Sequence, residues 1–74
     1  MISEVDIQDW DHLPPVPLYT VRPRTYIHID GMSLWFDHLD GAYSYCMTFS
    51  GDVVHISANA MVEQLVRKEK SNDV

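Results

Sequence analysis

The stretch RTYIHIDGMSLWFDHLDGAYSYCMTFSGDVVHIS, residues 24–57, contains three Gly-bearing turn signals, Asp30-Gly31, Asp40-Gly41 and Ser50-Gly51, at ten-residue spacing. Glycine supplies the positive φ that tight hairpins require, and the residues between the turns alternate apolar and polar, the pattern of an antiparallel β-meander. Turn chemistry and alternation agree on a register. With Asp30-Gly31 as a two-residue turn, Ile29 faces Met32, Ile27 faces Leu34 and Thr25 faces Phe36. Treating the other two turns likewise sets Phe36 against Tyr45, Leu34 against Met47, Met47 against Val54 and Tyr45 against Ile56. One face then collects Ile27, Ile29, Leu34, Phe36, Tyr43, Tyr45, Met47, Phe49, Val54 and Ile56 as the expected core. His38 falls on this face near Tyr43, at the sheet end, in a hydrogen-bonded packing role. A one-residue slip or a bulge in any strand would turn its apolar set outward.

The same register gives the second face Arg24, Tyr26, His28, Ser33, Trp35, Asp37, Ser44, Cys46, Thr48, Val53, His55 and Ser57. Arg24 pairs with Asp37, and Tyr26, Trp35, Cys46 and His55 line up across the strands. A merely solvated face would consist of Lys, Glu and Thr, whereas Tyr, Trp and Arg are the types that supply binding hot spots. Arg24, Tyr26, Trp35, Asp37 and His55 are therefore the candidate partner-binding residues, with Trp10 joining them from the N-terminal side. In the competing reading, the N-terminal segment or the curled C-terminus covers this face as a second core layer.

Residues 1–17 form an arm. Its first part carries Glu4, Asp6, Asp9 and Asp11 without Lys or Arg, interleaved with Ile2, Val5, Ile7 and Trp10. Such a segment either frays, with Trp10 resting on the sheet, or inserts into a partner's basic groove. Leu13-Pro14-Pro15-Val16-Pro17 excludes helix and suits an extended spacer; no basic residue adjoins its PxxP spacing, as a docking ligand would need. Leu18-Tyr19-Thr20-Val21 reads as a short edge strand ahead of Pro23. Residues 18–70 form the β domain and 71–74 a polar tail. Within the domain, Met61–Val66 fits either a helix, through the i,i+4 pairs Met61/Leu65 and Val62/Val66, or a fifth strand. The strand is preferred because it covers an open edge and would curl the sheet into a small SH3-like barrel. The expected fold class is thus mainly β, a four- to five-stranded meander.

At 74 residues, formal charge −6 and 46% hydrophobic residues, the chain is one small acidic domain. A chain this short buries only about 60% of its unfolded surface, so a partner or a second copy would add stability. The single Cys46 rules out an intrachain disulfide. No apolar run approaches the roughly 20 residues of a membrane span, and the acidic N-terminus is unlike a basic secretory signal, so no membrane association and a cytoplasmic location are expected. Acidity on this scale argues against general binding to nucleic-acid phosphates, which calls for clustered Lys and Arg, and direct nucleic-acid binding is not expected.

Chemistry-bearing residues do not form a recognised motif. Asp37, His55 and Ser44 or Ser57 supply the residue types of a nucleophile triad, but no Gly-rich turn or helix N-terminus offers an oxyanion hole. Cys46 beside His55 would make a thiolate pair, against the commoner role of cysteine as a small apolar filler. Cys46, His55 and His28 lack CxxC, HxxxH or HExxH spacing for a metal. His12, His28, His38 and His55 are scattered, though each imidazole can make binding pH-dependent. The expectation is a protein without catalytic residues, cofactor or metal; a small hydrolase or metal-binding protein is the third-ranked reading.

Phe36-Asp37-His38-Leu39-Asp40-Gly41-Ala42-Tyr43-Ser44-Tyr45-Cys46, continued by Gly51-Asp52-Val53-Val54-His55-Ile56-Ser57-Ala58, resembles small proteins encoded by tailed, T7-like bacteriophages. The resemblance spans the central half of the chain. It implies a class of function: small acidic phage proteins that bind and inhibit host enzymes, transcription machinery or antiviral defence complexes. The expected partner is a host protein or complex with a basic surface, met in the host cytoplasm, and the alternative is a homo-oligomeric assembly protein, with a homodimer its simplest form.

Overall fold

The computed structural model describes residues 4–67. In chain order the elements are α1 (Glu4–Ile7), β1 (Asp11–His12), β2 (Val16–Pro17), a 3-10 turn (Leu18–Thr20), β3 (Thr25–Ile29), β4 (Met32–Asp40), β5 (Tyr43–Met47), β6 (Val53–Val54) and β7 (Met61–Val66). The strands make a single antiparallel sheet of order β1-β7-β3-β4-β5-β6, with β2 also paired to β7. The fold is mainly β, as the turn spacing predicts. The strand order is an open path, and closure into an SH3-like barrel is not confirmed by it. The polar tail 71–74 lies outside the described residues.

The first hairpin has its expected register, with Thr25 opposite Phe36, Ile27 opposite Leu34 and Ile29 opposite Met32. Asp30 (φ 52°) and Gly31 (φ 77°) both have positive φ, as a type I′ turn requires at its two central positions.

The second hairpin is shifted by one residue. Asp40 pairs with Tyr43, so the turn residues are Gly41 and Ala42. Of these only Gly41 has positive φ, 67°, the pattern of a type II′ turn with glycine first. A bulge at Asp37 takes back part of that offset, leaving β5 one residue out of the expected register: Phe36 faces Cys46 and Trp35 faces Met47. The third hairpin shifts back. Thr48 N–H donates to the Asp52 carbonyl at 2.8 Å around a loop of Phe49, Ser50 and Gly51, and the positive φ of Gly51, 96°, fits a three-residue hairpin loop with a left-handed glycine last. Cys46 consequently faces Val54. Each side of β5 is out by one residue, which together slide β6 by two against β4 and return it to its expected face, so β5 is the strand whose faces are exchanged: Ser44 and Cys46 point into the core, and Tyr43, Tyr45 and Met47 point away, against expectation.

β7 resolves the ambiguity at Met61–Val66 in favour of a strand. It lies along the free edge of β3, with Ile27 opposite Gln64 and His28 opposite Glu63, satisfying backbone groups that a helix there would leave unpaired. Its other edge takes the N-terminal segment: Asp11 and His12 pair with Val66 and Leu65, Val16 and Pro17 with Val62 and Met61. Residues 11–17, expected in the arm, thus contribute two short strands. Leu18–Thr20 is a 3-10 turn where an edge strand was expected. Thr20 Oγ1 donates to the Pro17 carbonyl at 2.7 Å and Val21 N–H to the Leu18 carbonyl at 2.9 Å, local bonds that replace a ladder.

The core cluster is Leu18, Val21, Ile27, Leu34, Phe36, Cys46 and Val62, flanked by Val16, Ile29, Val54 and Ile56. Val62 and Leu65 are both buried, yet three residues apart on a strand they face opposite sides. Leu65 therefore lies on the second face, under the N-terminal segment, and Ile7 of α1 is buried outside the main cluster as well.

Candidate functional site

Cross-strand neighbours share a face, and the observed register places Tyr26, Trp35, Met47 and Val53 in one row across β3, β4, β5 and β6 on the face away from the core. The expected row of Tyr26, Trp35, Cys46 and His55 breaks at β5 because Cys46 is turned inward. A second row on the same face joins His38, Tyr45 and His55: His38 stacks on Tyr45 at 5.3 Å between ring centroids, and His55 meets Tyr45 edge-on at 5.5 Å.

One half of this face is covered and the other is not. Trp10 packs edge-on against Tyr26 at 5.5 Å, Tyr26 contacts Trp35 at 4.8 Å, and Phe49 stacks parallel on Tyr26 at 5.7 Å. The Arg67 guanidinium lies 5.5 Å over the Trp10 ring, a cation–π contact. The N-terminal segment thus seals the β7–β3 side, and Phe49, expected in the core, belongs to this second layer. On the β5–β6 side Tyr43, Met47 and Val53 remain 56%, 37% and 43% exposed. Large apolar side chains side by side in register are the feature of this face that folding alone does not require.

The remaining expected contact residues sit at the seam between the halves. Asp37 is the bulge residue, which is why it, Trp35 and His38 are gathered on one side. It accepts from Trp35 Nε1 at 3.3 Å and from His38 Nδ1 at 2.7 Å. The His38 hydrogen bond first, then that of Trp35, and more weakly the charges of His38 and Arg24, hold its carboxyl below the usual range. Arg24 acts from a distance; the expected Arg24–Asp37 pair is replaced by the contacts to Trp35 and His38. Arg24 itself has φ 66° and anchors its backbone to the Phe36 carbonyl at 2.8 Å. His38, placed by the sequence in a packing role on the core side, is exposed because the bulge turns it outward.

The residue types considered for catalysis are separated. Ser44 is fully buried, on the core side, while His55 lies on the other face and donates through Nδ1 to the Ser44 carbonyl at 3.1 Å. Cys46 is likewise buried, with its thiol 3.2 Å from Ser44 Oγ, and burial pushes that thiol up from its ordinary value, partly offset by the Ser44 contact. The filler role is the one the structure gives it. Cys46, His55 and His28 do not converge.

A different cluster does form. His12 on β1, His28 on β3 and Glu63 on β7 offer ligand atoms that all lie within 4.8 Å of one another. His12 Nδ1 and Glu63 Oε1 are 2.7 Å apart, the two imidazoles are 4.7 Å apart, and His28 Nδ1 is 3.3 Å from Ser33 Oγ. Sequence spacing cannot reveal this group, because β7, from the C-terminal part of the chain, docks between β1 and β3 from the N-terminal part. An open cleft of about 350 Å³ lined by Pro15, His28, Ile29, Asp30, Met61 and Glu63 adjoins it.

Among the described residues no helix is long and apolar enough to cross a membrane. Comparison with protein-family models, with curated proteins and with solved structures gives no match.

Proposed function

We propose that the chain is a non-enzymatic protein-interaction module of the bacteriophage type, which binds a host enzyme or defence complex in the host cytoplasm and inhibits or modulates it. The observation that carries this reading is the exposed continuation of the aromatic row, Met47 and Val53, beside a covered layer of Trp10, Tyr26, Trp35 and Phe49. A rigid aromatic support beside an exposed apolar strip loses little entropy on binding. The formal charge of −6 favours a partner with a basic surface around an apolar contact and speeds their encounter. Trp10 serves here by holding Tyr26 in place, and the docking contacts are Met47 and Val53 with Tyr43, Tyr45 and His55 around them.

Affinity capture from a bacterial host lysate tests this, using wild type, Met47→Asp and Val53→Asp, all verified as folded by circular dichroism. A host protein held by wild type at low salt, weakened by high salt and lost with either variant is the expected result. Equal capture by all three removes this face from the mechanism. The alternative of a homodimer has its own support: the sheet path ends at β6, so among the described residues no strand pairs with the outer edge of Val53–Val54, and a second copy can add there. Light scattering that gives a dimer in the absence of host protein selects it.

A further inference from the structure

We infer that His12, His28 and Glu63 form a binding site for one divalent transition-metal ion, Zn2+ foremost, which ties β1, β3 and β7 together. Two imidazoles and a carboxylate are a borderline-soft donor set, suited to zinc and its first-row neighbours and unsuited to Ca2+ or Mg2+, which need shells of oxygen. Around a zinc ion with bonds of about 2.0–2.2 Å, tetrahedral ligand atoms lie about 3.4 Å apart. The three donors here are within 4.8 Å of one another, so a bound ion would draw the wider pairs in and part the 2.7 Å His12–Glu63 pair. The 2.7 Å contact of His12 Nδ1 with Glu63 Oε1 shows two of the donors already converged on a proton, the species an ion would replace.

The surroundings also fit a ligand set. His28 Nδ1 lies 3.3 Å from Ser33 Oγ; donating there, the imidazole keeps its lone pair on Nε2, the outer-shell arrangement that orients metal-bound histidines. His28 and Glu63 face each other directly across paired strands, so their backbones are fixed, and the exposed His12 leaves the site open to ions from solvent. Three protein ligands leave a coordination position open to water or to a donor from a binding partner, on the side of the cleft lined by His28 and Glu63. Because His12 lies in the N-terminal segment, the ion would also clamp that segment and Trp10 onto the sheet. None of this depends on the interaction proposed above.

The experiment is calorimetric titration of Zn2+ into the untagged full-length chain, paired with NMR of the four histidine imidazoles. Saturable binding of one ion per chain, with His12 and His28 resonances shifting while His38 and His55 stay put, is expected; Glu63→Gln and His28→Ala abolish it, and Ser33→Ala weakens it about tenfold. The wild-type titration reads the site whether or not a variant folds. Absence of saturable binding, or shifts centred on His38 or His55, or undiminished binding by folded Glu63→Gln and His28→Ala, overturns the assignment.

Discussion

Ser44 and Ile56 are joined by three hydrogen bonds. Ser44 N–H and Oγ donate to the Ile56 carbonyl at 2.7 and 2.9 Å, and Ile56 N–H donates back to Ser44 Oγ at 3.2 Å. β6 ends at Val54, and this side chain carries the pairing past it, in a position with no access to water. Ser44→Ala keeps the backbone bond and deprives the Ile56 N–H of its partner. A buried donor left unsatisfied costs about 1–3 kcal/mol, a large share of the stability of a domain this small. Urea unfolding should show a lower midpoint with an unchanged slope; an unchanged midpoint would mean that water or another group replaces the hydroxyl.

Cys46 stands opposite Phe36 and is fully buried, and its thiol pKa is raised by that burial. Since the thiolate is the reactive species, native protein at neutral pH should react with a thiol-specific chromogenic reagent far more slowly than a free thiol. Adding denaturant should bring the rate up to that of the unfolded chain. Fast labelling of the folded protein would place Cys46 on the other face and restore the register in which it lines up with Trp35.

Gly41 fixes the second hairpin through a left-handed φ of 67°, and a Cβ added there meets nothing within 4 Å. Gly41→Ala therefore tests backbone conformation free of steric contact. The expected loss is about 1–2 kcal/mol, with a smaller loss for Gly41→Asn because asparagine tolerates this region better. For a domain of this size each kcal/mol lowers the melting temperature by about 4–8 °C. Equal melting temperatures for glycine and alanine would contradict the turn assignment.

The first hairpin was legible because an Asp-Gly pair with matching alternation on both sides admits one register, and the strand at Met61–Val66 because β3 has an edge to satisfy. β5 departs from the alternation for two reasons. The later turn, with glycine in first place, would by itself keep the faces, and it is the bulge at Asp37, which nothing in the alternation signals, that exchanges them; and Tyr43, Tyr45 and Met47 outweigh Ser44 and Cys46 on any scale of hydrophobicity. What decides the strand is space and pairing: a small side chain fits opposite Phe36, and a hydroxyl is needed at Ile56. Neither is a property of the strand's own sequence. For the surface, Tyr26, Trp35 and Val53 were placed correctly, but Met47 and Tyr45 moved onto the face and Cys46 left it. The His12–His28–Glu63 cluster depends wholly on tertiary pairing, which no short spacing encodes.

Asp37 should confer a pH dependence of definite sign. Hydrogen bonds from His38 and Trp35 hold its carboxyl below the ordinary 3.8. A carboxyl whose pKa falls on folding contributes its full stabilisation above the unfolded value and loses it as the pH falls through the folded one. Asp37→Asn still offers Trp35 an acceptor oxygen but carries no charge. The stability difference between wild type and Asp37→Asn should thus be present at about pH 5 and shrink as the pH falls through the folded carboxyl's lowered value. Because the Asp37 and His38 side chains are 46% and 51% exposed, the difference should be small and salt should reduce it further. Thermal unfolding of both proteins at several pH values, at low and high salt, measures it. A difference that widens in acid would reverse the sign and show that Asp37 is more readily protonated in the folded protein than in the unfolded chain.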